Sequence, residues 1–348
     1  MPNARASHLT RRGILATGGA LGLGAVLAAC GDEDTKNGGS GEATTAAKSG
    51  PWTFKDDRGT TVKLDKVPTK IVAFVGVAAA LYDYGIEVKG VFGPTKTQDG
   101  KADVQAGDMD VSKLTVFGNV WDQFNVEQYA AFAPEVLIST TFDSAGTLWY
   151  VPEASKDKIA KLAPSAAISV YDRQLTQPLQ KMWELAESLG ADMKADKVAQ
   201  SKKDFEAAAE RLRKAAKSRP EIKVMAGSAS QDIFYVSGTN LSIDLEYFKA
   251  LGVNFVEPPE SAKKEGGGWF ESLSWENVDK YPADIIMMDD RSSTIQPADI
   301  TEATWKKLPA VKAGQVIARS PEPILSYDKC TPLLTSLAEA IEKAKKVA

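Results

Sequence analysis

The chain has 348 residues, of which 43% are hydrophobic and 25% are charged, and this length is enough for two ordinary domains with their own cores. Such a balance excludes a disordered, collagen-like or multi-span membrane protein as a description of the whole chain. The formal net charge is −4, which leaves no basic excess to neutralise phosphates and excludes nucleic acid as a partner.

The first 29 residues have the features of an export signal. Arg11 and Arg12 precede an uncharged run over residues 13–29, which is rich in Gly and Ala and shorter than the ~20 apolar residues of a spanning helix. The paired arginines resemble those of twin-arginine signals. The run ends in Leu27-Ala28-Ala29-Cys30, which matches the bacterial lipobox. We therefore expect removal of residues 1–29 and lipidation of Cys30, with a retained membrane anchor as the alternative.

Removal of residues 1–29 and lipidation of Cys30 would exclude several kinds of catalytic site, metal site and disulfide. His8 is the only histidine, so the mature chain would have none, which excludes Ser-His-Asp and Cys-His catalysis and imidazole-based zinc or haem sites. With Cys30 lipidated, Cys330 has no partner for an intrachain disulfide. Residues 30–50 are polar and rich in Gly, Ser and Thr, which predicts a flexible tether. We expect a protein held by lipid at the outer face of the cytoplasmic membrane.

From residue 51 onward, short β-rich runs alternate with helical patterns, which indicates an α/β fold. Several runs are apolar on both faces, as in strands covered by helices on both sides. The predicted strands are Lys70–Val75, Val88–Phe92, Val136–Ser139, Lys223–Ala226, Asp284–Met288 and Gln315–Ala318.

The sequence also repeats itself at an offset of 149 residues. Asn125 and Ser274 are each helix N-cap types, and each is followed by a helical stretch and then by an apolar strand. A looser match places Gly85 and Gly252 at corresponding helix ends. The repeat predicts two similar lobes, at 51–176 and 218–348, although a common helix-to-strand pattern could produce the same match. Residues 177–217 between them are predicted to form one long amphipathic helix.

These features resemble the ABC-importer substrate-binding proteins for ferric siderophores and cobalamin, and the resemblance covers residues 52–345. The match depends on the order and spacing of several segments, and no single motif is decisive. The matching segments are 56–62, 68–73, 126–127, 134–138 and 305–312. The resemblance implies two α/β lobes joined by one long helix, a ligand cleft between them, no enzymatic activity and an ABC permease as partner. Together with the export signal, it is closest to actinobacterial lipoproteins for hydroxamate siderophores of the desferrioxamine type.

Ligands of open α/β sheets bind outside the carboxyl ends of the strands. Applied to both lobes, this rule selects loops that are rich in aromatic residues although the whole chain contains only 8%. The candidate ligand-binding aromatics are Phe74, Trp121, Phe142, Trp149, Tyr150, Tyr235, Trp269, Phe270 and Tyr327. Trp183, Trp275 and Trp305 fall on helical or structural positions and are predicted to lie in the core.

The charges of these loops limit which ligands the cleft could bind. They contain nine acids but one candidate cation, Arg291, whose alternative role is to pair with Asp289 or Asp290. An anionic chelate would require several Arg or Lys residues, whereas a neutral or cationic complex suits an aromatic cleft with acids around it. Ferric trishydroxamates have that charge. We expect no cofactor and no protein metal site, with iron present only as part of a bound ferric siderophore.

Two other functions stay open at this point. A cobalamin-binding lipoprotein would use the same kind of cleft for a large neutral macrocycle. A surface hydrolase would need two acids held close together, and the neighbouring acids Asp289 and Asp290 would point to opposite faces of a strand. We expect the protein to act as a monomer.

Overall fold

The structure, a computed structural model, describes residues 50–348, which form two lobes that are each built on a five-stranded sheet. In the first lobe, an antiparallel hairpin of β1 (Trp52–Lys55) and β2 (Thr61–Leu64) precedes the sheet. The sheet is wholly parallel, in the order β5-β4-β3-β6-β7. Its strands are β3 (Ile71–Phe74), β4 (Gly90–Phe92), β5 (Thr115–Val116), β6 (Val136–Thr141) and β7 (Ser165–Ser169). Its helices are α1 (Val75–Asp83), α2 (Val126–Phe132) and α3 (Lys156–Leu162).

Two helices, α4 (Thr176–Ser188) and α5 (Asp196–Ser218), lie between the two sheets in the chain. The second sheet has the order β10-β9-β8-β11-β12, in which β8, β11 and β12 are parallel and β9 and β10 are antiparallel to their neighbours. Its strands are β8 (Val224–Ala229), β9 (Ile233–Ser237), β10 (Phe270–Ser274), β11 (Ile285–Asp289) and β12 (Val316–Arg319). The remaining helices are α6 (Ile243–Ala250), α7 (Ala303–Lys307), α8 (Pro309–Lys312) and α9 (Tyr327–Lys343).

All six strands predicted from the sequence are present, as β3, β4, β6, β8, β11 and β12, with ends that differ by a few residues. Every residue of β3, β6 and β11 is buried, as the two-sided apolar runs predicted. The fold class of two α/β lobes is therefore confirmed, and α5 is the long helix that links them.

The repeat at an offset of 149 residues relates strands of the two sheets, but it does not relate the helices that precede those strands. Val136 and Ile285, which begin β6 and β11, are separated by that offset, and each strand takes the same place in its sheet. Asn125 caps α2 by accepting the backbone N–H of Gln128 at 2.9 Å. Ser274, by contrast, precedes only a single 3₁₀ turn and makes no side-chain capping bond. The two lobes thus share their strand order and differ in how the strands are connected.

The prediction of one helix over residues 177–217 is wrong, because the chain breaks after α4. Gly190 has a φ of +102°, a conformation that glycine adopts without strain. Its N–H bonds to the carbonyl of Glu187, and the N–H of Ala191 bonds to that of Ala186. This pattern is a Schellman motif, which ends a helix. The long interlobe helix is therefore only α5, which packs along α9.

A continuous core joins the lobes. One cluster of buried side chains extends from the first sheet through α4, α5, α6 and α9 to one face of the second sheet. Within it, five rings form a chain of contacts that we call the aromatic seam. The seam contains Tyr84, Trp183, Tyr327, Phe205 and Tyr247, with successive ring centroids 5.8, 5.7, 5.3 and 6.0 Å apart. Because the seam contains residues from both lobes, the two lobes share one region of apolar packing.

The other face of the second sheet has its own core, which contains Trp275 and Trp305. Both side chains are buried, at 6% and 2% exposure, so the prediction that these tryptophans are structural is confirmed. None of the helices within residues 50–348 combines the length and the apolar character needed to cross a bilayer. The predicted signal over residues 1–29, the lipidation site Cys30 and nearly all of the tether lie outside the described residues.

Candidate ligand-binding cleft

A cleft of about 730 Å³ opens where the carboxyl ends of strands from both sheets face each other. The first lobe contributes the loops that follow β5 and β6. The second lobe contributes the ends of β8, β9, β11 and β12, together with the loop before β10. This volume lies in the range of small-molecule sites, so the cleft is the candidate site for a ligand of moderate size.

The side of the cleft formed by the first lobe is aromatic. Trp149 lies at its centre, with its ring centroid 4.5 Å from Phe142, 4.6 Å from Trp121 and 5.8 Å from Tyr150. We call these four residues the aromatic wall. Trp121 is 55% exposed, and Trp269 of the second lobe lies 6.3 Å from Phe142. A partly exposed group of large rings is typical of a surface that a ligand covers.

Two hydrogen bonds hold the backbone of Trp149 against β6. The N–H of Trp149 donates to the carbonyl of Thr140 at 2.9 Å, and the hydroxyl of Ser139 donates to the carbonyl of Trp149 at 2.9 Å. Tyr150 has a φ of +61°, an uncommon backbone conformation for a bulky residue. Burial raises the pKa of its phenol to about 12, so the hydroxyl stays protonated and can donate a hydrogen bond at neutral pH.

The side formed by the second lobe has two arginines, each held by a carboxylate. Arg291 donates from Nε and Nη2 to Asp289 at 3.0 and 2.7 Å. Arg319 is nearly buried and donates to both oxygens of Asp244 at 2.8 and 2.9 Å, and its Nη1 donates to Ser237 at 3.1 Å. Burial disfavours the charged form of Arg291, but Asp289 and Glu322 outweigh it and raise its pKa. Both guanidiniums are therefore fixed in orientation by carboxylates.

Seven of the residues predicted to bind ligand line this cleft. They are Trp121, Phe142, Trp149, Tyr150, Trp269, Phe270 and Arg291. The two alternatives for Arg291 turn out to be compatible, since it lines the cleft and pairs with Asp289. Asp290 lies on the other side of the strand end, where its carboxylate accepts from Ser320 at 2.7 Å. The two neighbouring acids thus diverge, as expected, and do not form the close pair that a carboxylate-based hydrolase needs.

Three predicted residues do not line the cleft. Tyr327 is 6% exposed and belongs to the aromatic seam, because the first turn of α9 faces the helices instead of the strand ends. Phe74 is 3% exposed and lies beneath Tyr150, at 5.6 Å between ring centroids. Tyr235 packs behind Phe270 at 5.0 Å. In each case the strand-end rule selects the correct edge of the sheet but does not determine the direction of the side chain.

Arg319 lines the cleft but is not among the residues predicted from the sequence. It is the last residue of β12, so the strand-end rule could have found it. The strand was predicted to end at Ala318, and Arg319 was not among the candidate residues. Ser242, which also lines the cleft, had no sequence signal because it precedes a helix.

One cluster of acids in the described part of the chain has the spacing of a metal site, away from the cleft. Its members are Asp83, Asp108 and Asp328. The ammonium of Lys329 lies 2.6 Å from Asp108 and 3.4 Å from Asp328, and Ser326 donates to Asp83 at 2.5 Å. These carboxylates already have partners of their own.

The sequence and fold of this chain are similar to those of known proteins. A family model described as periplasmic binding protein matches residues 73–323. The crystal structure of DesE, a ferric-siderophore receptor protein from Streptomyces coelicolor, is 80% identical over 85% of this chain and 100% of its own, with a TM-score of 0.84. No curated protein sequence gives a significant match.

More distant structures share the fold. The petrobactin-binding protein YclQ from Bacillus subtilis is 17% identical, covering 84% of this chain and 99% of its own, with a TM-score of 0.62. FhuD2 from Staphylococcus aureus, solved with bound ferrioxamine B, is 20% identical, covering 79% of this chain and 98% of its own, with a TM-score of 0.51. At these identities the similarity shows the fold alone.

Proposed function

The chain belongs to the periplasmic binding protein family, and we propose that it captures a ferric hydroxamate siderophore and delivers it to an ABC import permease. Proteins of this family bind their ligand without transforming it, so the protein is a binding protein and not an enzyme. The similarity to DesE, which extends over the whole of that receptor, supports a ferric siderophore as the ligand.

The observation that carries the hydroxamate proposal is an aromatic wall facing two arginines that are already paired. Flat rings can cover the apolar, curved surface of a trishydroxamate without adding charge. Arg291 and Arg319 retain N–H groups beyond those bonded to Asp289 and Asp244, and such groups can donate to the ligand's carbonyl oxygens. The chelator holds the iron, so the protein supplies shape and hydrogen bonds.

The charge of the cleft argues against an anionic chelate. Its lining includes five carboxylates, and its two guanidiniums are both bonded to acids. Among the lining residues that the structure describes, the outer acids are Asp122, Asp143 and Glu153. An anionic catecholate or citrate complex would meet net negative charge, whereas a neutral or cationic complex would not.

We also propose that the protein is exported through its twin-arginine signal and anchored by lipid on Cys30, as a monomer at the outer face of the cytoplasmic membrane. The support is the sequence of residues 1–50, in which a lipobox closes an apolar run and a polar tether follows. Replacing Cys30 by Ala should release folded protein from the membrane fraction. Detergent-resistant attachment of that variant would mean that the apolar run is a retained anchor.

Titration of intrinsic tryptophan fluorescence tests which ligand the protein binds most tightly. Three of the seven tryptophans line the cleft, so a ferric chelate bound there should quench emission strongly. The panel is ferrioxamine B, which carries a free ammonium, its neutral N-acetyl analogue, its anionic N-succinyl analogue, ferric enterobactin and cobalamin. We expect the ammonium and acetyl forms to bind most tightly, and the succinyl form about tenfold more weakly at low salt. Tightest binding by cobalamin or ferric enterobactin would overturn the proposal.

A further inference from the structure

Glu322 joins the two sides of the cleft through a single carboxylate. It lies between β12 and α9, and its side chain is only 10% exposed. From the first lobe, Oε2 accepts the indole N–H of Trp149 at 3.1 Å and the amide of Gln105 at 2.9 Å. From the second lobe, Oε1 accepts the Nη1 of Arg291.

The two groups held by Glu322 are the ones that shape the cleft. Trp149 is the centre of the aromatic wall, so a bond to its indole fixes the plane against which Trp121 and Phe142 pack. Arg291 is held on its other edge by Asp289, so two carboxylates together determine the orientation of the guanidinium. Hydrogen bonds to a charged group are stronger than neutral ones, and loss of this acceptor would leave half-buried donors unsatisfied.

We propose that Glu322 is a positioning residue that holds the aromatic wall and Arg291 in their binding arrangement before the ligand arrives. The inference rests on the proposed function only for the choice of test ligand. Because a preorganised site loses less conformational freedom on binding, removal of Glu322 should weaken affinity even if the carboxylate never contacts the ligand.

The test uses Glu322→Ala, Glu322→Gln and Trp149→Phe, with Glu87→Ala as the matched control. Glu87 is an exposed acid that pairs with Lys89, and it is not among the residues that line the cleft. One readout is the indole N–H signal of Trp149 in ¹⁵N NMR spectra of the ligand-free protein, which Trp149→Phe identifies by its disappearance. The other is the Kd for ferrioxamine B.

We expect Glu322→Ala to move the Trp149 indole signal and to weaken binding by about tenfold or more. Glu322→Gln keeps a neutral acceptor for the indole, so it should restore the signal most of the way and weaken binding less. The double variant Glu322→Ala/Trp149→Phe should bind much better than the product of the two single losses predicts, because both remove the same bond. Glu87→Ala should change neither readout.

Three results would overturn the proposal. The Trp149 signal could stay in place in Glu322→Ala, affinity could be unchanged although the signal moves, or the two losses could be fully additive. If Glu322→Ala does not fold, Glu322→Gln and Trp149→Phe still test the coupling. If the wild-type protein binds no ferric hydroxamate while the indole signal still responds to Glu322, the proposed function fails and the positioning of the wall stands.

Discussion

The aromatic wall and the aromatic seam are built from the same residue types and have opposite surroundings. Trp121 in the wall is 55% exposed, whereas Tyr327 in the seam is 6% exposed. The seam rings contact one another across α4, α5, α6 and α9, and none of them lines the cleft. The wall rings contact one another on one side and face an open cleft on the other.

This difference assigns separate roles to the two clusters. Burial of the seam rings already contributes to the stability of the folded protein, so their loss should be seen in unfolding experiments. The exposed faces of the wall rings gain contacts only when a ligand arrives, so their loss should be seen in affinity. The following four predictions test that separation, in order of decreasing expected effect.

The largest effect is expected from Tyr327→Ala in the seam. Its ring contacts both Trp183 and Phe205, so truncation should leave a cavity and lower the free energy of unfolding by about 3 kcal/mol. Trp183→Ala should behave similarly with a smaller loss, because Trp183 is only partly buried. Urea denaturation measures both, and the Kd of the folded variants for ferrioxamine B should match that of wild type. A seam variant with normal stability and weak binding would contradict the separation.

Trp149→Ala should give the largest loss of affinity among the wall residues. It removes the central ring and the hydrogen bond to Glu322, so we expect Kd to rise by roughly 30-fold, or about 2 kcal/mol. Calorimetric titration with ferrioxamine B measures this loss, and thermal unfolding serves as the control. Unfolding of the variant at unchanged affinity would show that Trp149 belongs with the structural aromatics.

Trp121→Ala and Trp269→Ala should each weaken binding by about tenfold, since 1.4 kcal/mol corresponds to that factor. Both residues lie in loops at the cleft, so their truncation opens no core cavity and thermal stability should change little. The same two measurements apply. If both variants keep wild-type affinity and stability, the ligand binds elsewhere.

The smallest effect concerns Asp83, which lies beside the seam. Burial raises the pKa of its carboxyl, although the hydrogen bond from Ser326 acts in the opposite direction. A raised pKa means that folding favours the protonated form, so this contribution to stability is present at low pH and is lost as pH rises through the folded pKa. Asp83→Asn mimics the protonated form. We expect its stability relative to wild type to improve as pH rises from about 3 to 7, by urea denaturation at each pH.

The opposite trend in that comparison would show that the charged form of Asp83 stabilises the seam. Affinity for ferrioxamine B should be the same in Asp83→Asn and wild type at every pH, because Asp83 is not among the residues that line the cleft. A change in affinity would link the seam to the ligand site.

The sequence was informative where a pattern extends over several residues. The two-sided apolar run at Ile71–Phe74 and the repeat that relates Val136 to Ile285 predicted the parallel strands and the two lobes. Gly190 is a residue type that ends helices, but it lies within an amphipathic pattern that predicts one continuous helix. The strand-end rule then located the cleft, because it depends only on the direction of parallel strands.

Side-chain direction could not be predicted in the same way. Phe74 ends β3, Tyr235 lies within β9 and Tyr327 begins α9. Packing turns each of these side chains away from the cleft. The bonds from Gln105 and Trp149 to Glu322 connect residues that are 217 and 173 positions apart in the chain. No local pattern carries information about such pairs, because they exist only after the two lobes are packed together.

A crystal structure of the protein with ferrioxamine B is the most direct test of the central claim that the cleft between the lobes receives the chelate. The account predicts the chelate within about 4 Å of Trp149, Trp121 and Trp269, with Arg291 donating to a chelate oxygen and Tyr327 untouched. A chelate bound outside the cleft, or one held by residues of the aromatic seam, would contradict it.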